Sequence, residues 1–136
     1  MPNYWILKTE PSSYSFDRLA TERRAVWDGV SNALALKHLR SMAKGDQTFI
    51  YHTGDEKALV GLARIASDPY SDPKNEKLTV VDIEAGDRLP RPVTLAAVKA
   101  DPAFAQLGLV RMSRLSVIPV APDLWKRLMA MGGRPG

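Results

Sequence analysis

Trp27-Asp28-Gly29-Val30-Ser31-Asn32 is the stretch that says most about how this chain folds, because it places pocket-forming residues just before a helical pattern. Trp27 offers a flat face for stacking, and Gly29 allows the backbone to turn with a positive φ or to pass close to a ligand. The side-chain amide of Asn32 offers both a hydrogen-bond donor and an acceptor to the polar edge of a planar ligand. The alternative interpretation is structural, with Trp27 packed in a core and Asn32 capping a helix.

Short strands and short helices follow one another irregularly on either side of this stretch. Apolar and alternating runs predict strands over residues 4–8, 47–52, 58–67, 78–84 and 115–120. Helical spacing and capping residues predict helices over 16–20, 32–43, 94–99 and 122–131. Residues 68–76 are predicted to be a loop and 88–92 an extended connector. This order indicates a mixed α/β (α+β) fold, a partly closed β-barrel of about five to six strands with helices packed outside.

Length and composition are those of one globular domain. The chain has 136 residues, of which 45% are hydrophobic and 25% charged, so we expect a single domain over 1–136 with its core over about 4–131. There is no cysteine, which excludes disulfides and thiolate metal sites. The apolar run at 4–7 is too short for a signal peptide, and no stretch approaches a membrane span. We therefore expect a cytoplasmic protein without membrane association.

The charge distribution favours an anionic ligand. The net charge is +4 and the pI about 9.5, which is typical of many nucleic-acid-binding domains. Acidic residues gather between Asp68 and Asp87. Basic residues surround the Trp27 segment instead: Arg23, Arg24, Lys37, Arg40 and Lys44. Lys37, Arg40 and Lys44, together with Ser41, have spacings that place them on one face of the predicted helix, and the alternative is that this face is solvated and keeps the protein soluble.

Catalytic patterns are weak in this sequence. It has no cysteine nucleophile, no Gly-x-Ser-x-Gly elbow and no His-Glu-x-x-His metal motif. Glu10, Asp28 and His52 could form an acid and base set only if the fold joined them. We therefore expect a binding protein and not an enzyme, with no catalytic residue, no metal and no cofactor.

Several motifs in order resemble one known family. They are Tyr4-Trp5-Ile6-Leu7-Lys8-Thr9-Glu10-Pro11, the Trp27 to Asn32 stretch, Phe49-Ile50-Tyr51-His52-Thr53, Gly61-Leu62-Ala63, and Arg114-Leu115-Ser116-Val117 followed by Pro119-Val120. Together they look like the EVE domain, a member of the PUA-like superfamily related to the YTH, ASCH and SRA domains. The resemblance implies a PUA-like β-barrel with flanking helices. It also implies a pocket for a modified nucleobase in DNA or RNA, with modified cytosines favoured.

Two positions depart from the pattern of that family. Thr9 stands where serine is usual, and Ser31 stands where arginine is usual. A serine lacks the planar, five-donor cation of arginine, so Ser31 cannot make the base or phosphate contacts that need that cation.

The resemblance and the residue chemistry together predict the binding residues. Trp27 is the expected stacking wall, Asn32 the partner of the base edge, and Lys8 and Thr9 polar contacts at the end of a strand. Tyr51 or His52 is the expected second wall, since neighbouring strand residues face opposite sides. The expected phosphate contacts are Lys37, Arg40, Arg111, Ser113 and Arg114.

The expected function is recognition of a modified base, in DNA or RNA, with that base withdrawn from its stack. Three other functions are alternatives to this one. They are an ASCH-like RNA hydrolase or nuclease, a sensor of a free modified nucleoside, and a module that binds a protein partner. The sequence does not distinguish DNA from RNA, and it does not fix the oligomeric state.

Overall fold

The fold is built around a seven-stranded sheet with five helices. A computed structural model describes residues 3–134. Its strands are β1 (Tyr4–Thr9), β2 (Arg24–Trp27), β3 (Gln47–His52), β4 (Ala58–Ile65), β5 (Tyr70–Asp72), β6 (Asn75–Thr94) and β7 (Val117–Val120). Its helices are α1 (Phe16–Glu22), α2 (Ala33–Arg40), α3 (Leu95–Ala100), α4 (Gly108–Arg111) and α5 (Pro122–Met131). Within the described range, no helix is long and apolar enough to cross a membrane.

The strands pair in the order β2-β6-β4-β3-β1-β7, and the short β5 pairs with β6. Among the described strands, β1 and β3 run parallel, and the other pairs are antiparallel. β2 and β7 therefore lie at the two ends of the pairing order, whereas β3 lies in its interior.

The mixed α/β class and the flanking helices agree with the sequence prediction, but the strand count does not. The structure adds β2, which pairs with β6, and β5, which lies in the segment predicted to be a loop. β6 also continues through residues 88–92, the predicted connector, where two prolines interrupt the sequence pattern without ending the strand. The count is therefore seven and not five to six.

A glycine in β4 allows α1 to pack closely on the sheet. A Cβ atom added at Gly61 would overlap the ring of Phe16, which is buried at the start of α1. The pairing of β4 with β6 shifts register on both sides of Gly61. Gly61 therefore combines a break in the strand register with a close approach of α1, the two features that a glycine within a strand commonly marks.

A buried carboxylate fixes the position of β1. Asp46 is 3% exposed, and it accepts hydrogen bonds from the backbone N–H groups of Asn3 and Ala43 and from the indole N–H of Trp5, each at 3.0 Å. A buried charge needs such partners to offset its desolvation. The network ties the beginning of β1 to the turn before β3. It thereby sets the position of Lys8 and Thr9 at the other end of β1.

Candidate functional site

A cavity of about 700 Å³ lies beside Trp27, where residues from both ends of the strand order come together. β2 forms one side, the end of β1 and Ser116 before β7 form another, and α1 with its preceding turn forms a third. The lining residues are Lys8, Thr9, Ser13, Tyr14, Arg18, Glu22, Ala25, Val26, Trp27, Asp28, Gly29, Val30, Ser31, Asn32 and Ser116. The whole stretch from Trp27 to Asn32 therefore borders this cavity, as do Lys8 and Thr9.

Trp27 is both a core residue and a wall of the cavity. It is the last residue of β2 and is 8% exposed. The ring of Tyr14 meets it edge to face, with ring centroids 6.2 Å apart and an interplanar angle of 85°. The two interpretations of Trp27 are therefore compatible, because the indole is packed in the core and also borders the cavity beside Tyr14.

The turn after Trp27 has the geometry that its composition predicts. Gly29 has a φ of +79°, which confirms the expected positive φ. Asn32 is the N-cap of α2, and its Oδ1 accepts the N–H of Ala35 at 3.0 Å. Its Nδ2 group, a donor, takes no part in this capping bond. The structural and the binding interpretations of Asn32 therefore use different atoms of one side chain.

Lys8 and Thr9 extend the polar part of the wall at the end of β1. The Lys8 ammonium donates to the carbonyl of Ser113 at 3.0 Å, and burial lowers the pKa of Lys8 below its ordinary value. The hydroxyl of Thr9 donates to the carbonyl of Tyr14 at 2.7 Å. These contacts hold both side chains against the neighbouring segments of the cavity.

A hydrogen-bonded group on the α1 side completes the wall, and the sequence interpretation missed it. Tyr14 donates its hydroxyl to Glu22 at 2.6 Å, and Arg18 Nε donates to the same carboxylate at 3.1 Å. The Arg18 guanidinium lies 5.0 Å from the centroid of the Tyr14 ring. Arg18 and Glu22 are four residues apart on α1, a spacing that could have revealed their ion pair. Tyr14 precedes the N-cap Ser15, so no helical spacing links it to them.

The protonation of this group follows from its contacts. Burial, followed by the hydrogen bond to Glu22 and its charge, raises the pKa of Tyr14 to about 12. The hydrogen bond from Tyr14 and then that from Arg18 lower the pKa of Glu22. At neutral pH the wall therefore holds a neutral phenol, a carboxylate and a guanidinium.

The structure does not bring Tyr51 or His52 to this cavity, so neither supplies the expected second wall. Both are buried in β3, an interior strand. His52 Nε2 accepts the N–H of Phe16 at 3.0 Å, which leaves the proton on Nδ1, 2.6 Å from Glu56 Oε1. The Tyr51 ring packs 5.6 Å from the Lys8 ammonium. The aromatic residue next to Trp27 is Tyr14.

The predicted phosphate contacts fall into two groups. Arg111, Ser113 and Arg114 line an adjoining cavity of about 540 Å³, and Asn32 borders both cavities. The other two residues lie on α2 and line neither cavity. Lys37 is exposed, and the Arg40 guanidinium is 3.5 Å from the hydroxyl of Thr79.

The acid and base candidates do not share one cavity. Asp28 lines the cavity beside Trp27, but Glu10 and His52 do not. Glu10 accepts from the backbone and hydroxyl of Ser12 and from the hydroxyl of Thr53. Across residues 3–134, no group of three or more histidine, aspartate or glutamate side chains is placed to hold a metal ion.

Comparison with solved structures supports the fold assignment. A Rhodopseudomonas palustris protein solved by NMR superimposes with a TM-score of 0.92 at 43% identity, covering 96% of this chain and 93% of that one. The crystal structure of human THYN1 in complex with 5-methylcytosine-containing DNA superimposes with a TM-score of 0.88 at 22% identity, covering 98% and 99% of the two chains. The expected PUA-like fold with flanking helices is thereby confirmed.

Sequence comparison gives the same family as the motifs. Thymocyte nuclear protein 1 of Rattus norvegicus is 26% identical over 167 residues, which cover 96% of this chain and 74% of the rat protein. The model of the EVE domain family matches residues 3–131. This match covers the sheet, all five helices and every residue that lines the cavity beside Trp27. The chain belongs to the EVE domain family.

Proposed function

We propose that this chain binds nucleic acid and holds one modified base, a modified cytosine, in the cavity beside Trp27. The observation that carries the proposal is this cavity, which combines a fixed aromatic wall with donors and acceptors. The human THYN1 structure, with the same fold, contains DNA with 5-methylcytosine. The proposal extends that ligand class to this chain.

The aromatic wall suits a planar base. Stacking of a base on an aromatic side chain contributes about 1 to 3 kcal/mol. The indole of Trp27 is 8% exposed and meets the Tyr14 ring edge to face, so packing sets its orientation before a base arrives. Such preorganisation lowers the entropy cost of binding.

The polar and apolar lining together fit a cytosine with a substituent at carbon 5. The exocyclic amine of cytosine is a donor, and a carboxylate such as that of Asp28 accepts from it. The Nδ2 group of Asn32 supplies a donor to the acceptor atoms of the base. Val26 and Val30 provide apolar surface of the kind that a methyl substituent contacts.

A polymer is favoured over a free nucleoside because cations lie next to the cavity. Arg111 and Arg114 line the adjoining cavity, within reach of a strand whose base enters beside Trp27. Withdrawal of a base from a duplex costs a few kcal/mol. Stacking, edge hydrogen bonds and phosphate contacts together can offset that cost.

The proposal is tested by a binding screen of short DNA and RNA strands that differ only in one base. The strands carry cytosine, 5-methylcytosine, 5-hydroxymethylcytosine or N6-methyladenine at the central position. The expected result is tightest binding of a strand with a 5-substituted cytosine. The strands recovered after incubation are expected to be uncleaved. Equal binding of all the strands would contradict base recognition, and cleavage of a strand would indicate the hydrolase instead.

Asp28→Asn adds a residue-level test to this screen. Removal of the carboxylate acceptor is expected to weaken the preference for cytosine bases. Asp55→Asn is the matched control, since Asp55 is also exposed but lies in the turn before β4 and outside the cavity. An equal effect of both substitutions would show that the net charge, and not the base edge, is responsible.

A further inference from the structure

Two exposed apolar side chains line the two adjoining cavities of the proposed binding site, one in each cavity. In the described part of the chain, the large apolar residues with the most exposed surface are Val26 at 48%, Met112 at 43% and Tyr70 at 38%. Val26 lines the cavity beside Trp27, and Met112 lines the adjoining cavity. Asn32 borders both cavities, so Met112 lies at a cavity that adjoins the proposed base site.

Met112 lies in a basic segment that is anchored to the cavity beside Trp27. It follows the last residue of α4, Arg111, and precedes Ser113 and Arg114. The carbonyl of Ser113 accepts from the ammonium of Lys8, which lines the cavity beside Trp27. The methionine is therefore held next to that cavity with a cation on either side along the chain.

This combination matches what is needed where a base leaves a duplex. Arginines attract the phosphates, and apolar side chains, methionine among them, can enter between base steps and unstack them. A base that has left the stack leaves a gap, which a flexible, polarisable side chain can fill.

We propose that Met112 enters the duplex at the gap left by the base held beside Trp27, while Arg111 and Arg114 contact the flanking phosphates. The inference rests on the proposed function. It adds that the chain is built to take its base out of double-stranded DNA, and that Met112 stabilises the opened duplex.

The test compares the parent, Met112→Ser and Met112→Leu on two ligands. One ligand is a DNA duplex with a single 5-methylcytosine, and the other is the same modified strand alone. We expect Met112→Ser to weaken duplex binding about tenfold, because the unstacked step loses its apolar filler. Single-strand binding is expected to stay close to that of the parent, since no base pair is opened there. Met112→Leu, which keeps an apolar side chain, is expected to bind both ligands like the parent.

Controls separate this inference from the proposed function. Tyr70→Ser removes an exposed apolar side chain from β5, which does not line the cavities, and is expected to leave both affinities unchanged. Equal losses on duplex and single strand in Met112→Ser, or no loss on either, would overturn the role of Met112 and leave base binding intact. A parent protein that does not prefer the modified base in either ligand would overturn the proposed function itself.

Discussion

Replacement of Trp27 by leucine is expected to weaken binding of a modified strand while leaving the chain folded. Truncation to alanine is unsuitable, because Trp27 is 8% exposed and belongs to the core. The loss of a buried tryptophan side chain costs about 3 to 5 kcal/mol, out of a total stability of about 5 to 15 kcal/mol for a domain. Leucine keeps part of the apolar volume but removes the flat stacking face. Loss of one stacking contact, about 1 to 3 kcal/mol, corresponds to a decrease in affinity of about 5- to 150-fold.

The matched control for this substitution is Trp125→Leu. Trp125 is 4% exposed and stacks on Tyr4 with ring centroids 4.6 Å apart, but it does not line the cavity beside Trp27. Urea unfolding should show that both variants lose stability, and titration of the labelled strand should show that only Trp27→Leu loses affinity. Parent-like binding by Trp27→Leu, or an equal loss of affinity in Trp125→Leu, would refute the stacking argument.

Three further outcomes follow from the fold and the site. Gly61→Ala should lower the free energy of unfolding by about 1 to 3 kcal/mol, because its Cβ overlaps a buried aromatic ring of α1. Urea unfolding measures this change, and an unchanged midpoint would show that the ring can move. Removal of charge at Lys37 and Arg40 should weaken binding of modified and unmodified strands equally, as for phosphate contacts; an effect on the modified strand alone would contradict this role. Glu22→Gln should lower the pKa of Tyr14 from about 12, because a hydrogen bond to a carboxylate and its charge are lost. Since folding raises that pKa above the ordinary value of 10.0, the stability it contributes is present below pH 10 and is lost as the pH rises towards 12. Phenolate absorbance measures the shift, and an unchanged titration would argue against the hydrogen bond.

Capping residues and strong periodicity made several elements predictable from the sequence. Ser15 accepts from the N–H of Arg18 at the start of α1, and α5 begins at Pro122 and ends at Met131 as predicted. The pocket stretch from Trp27 to Asn32 was also recognisable, since its glycine and its capping amide have distinct local geometry. Local signals of this kind survive in the final fold because each depends on only a few neighbouring residues.

Features that depend on partners distant in the chain were not predictable. β2 begins with Arg24 and has four residues, so it exists as a strand only because β6 pairs with it. Tyr51 or His52 is expected to face the pocket because neighbouring residues of a strand face opposite sides. The ring of His52 instead accepts the N–H of Phe16, which lies 36 positions away. The role of Tyr14 beside Trp27 likewise depends on packing that brings the turn before α1 against β2. The residue pattern within one segment carries no information about which distant segment it contacts.

The most direct test of a base-reading cavity is the affinity for three ligands measured at several salt concentrations. The ligands are a strand with one 5-methylcytosine, its unmodified twin and the free modified nucleoside. We predict preference for the modified strand, with a log-log salt slope that reflects on the order of two to four phosphates, at about −0.7 each for a single strand. The free nucleoside should bind more weakly, with almost no dependence on salt. A flat salt response with tight binding of the nucleoside, or a steep slope without base preference, would contradict recognition of a modified base in a polymer.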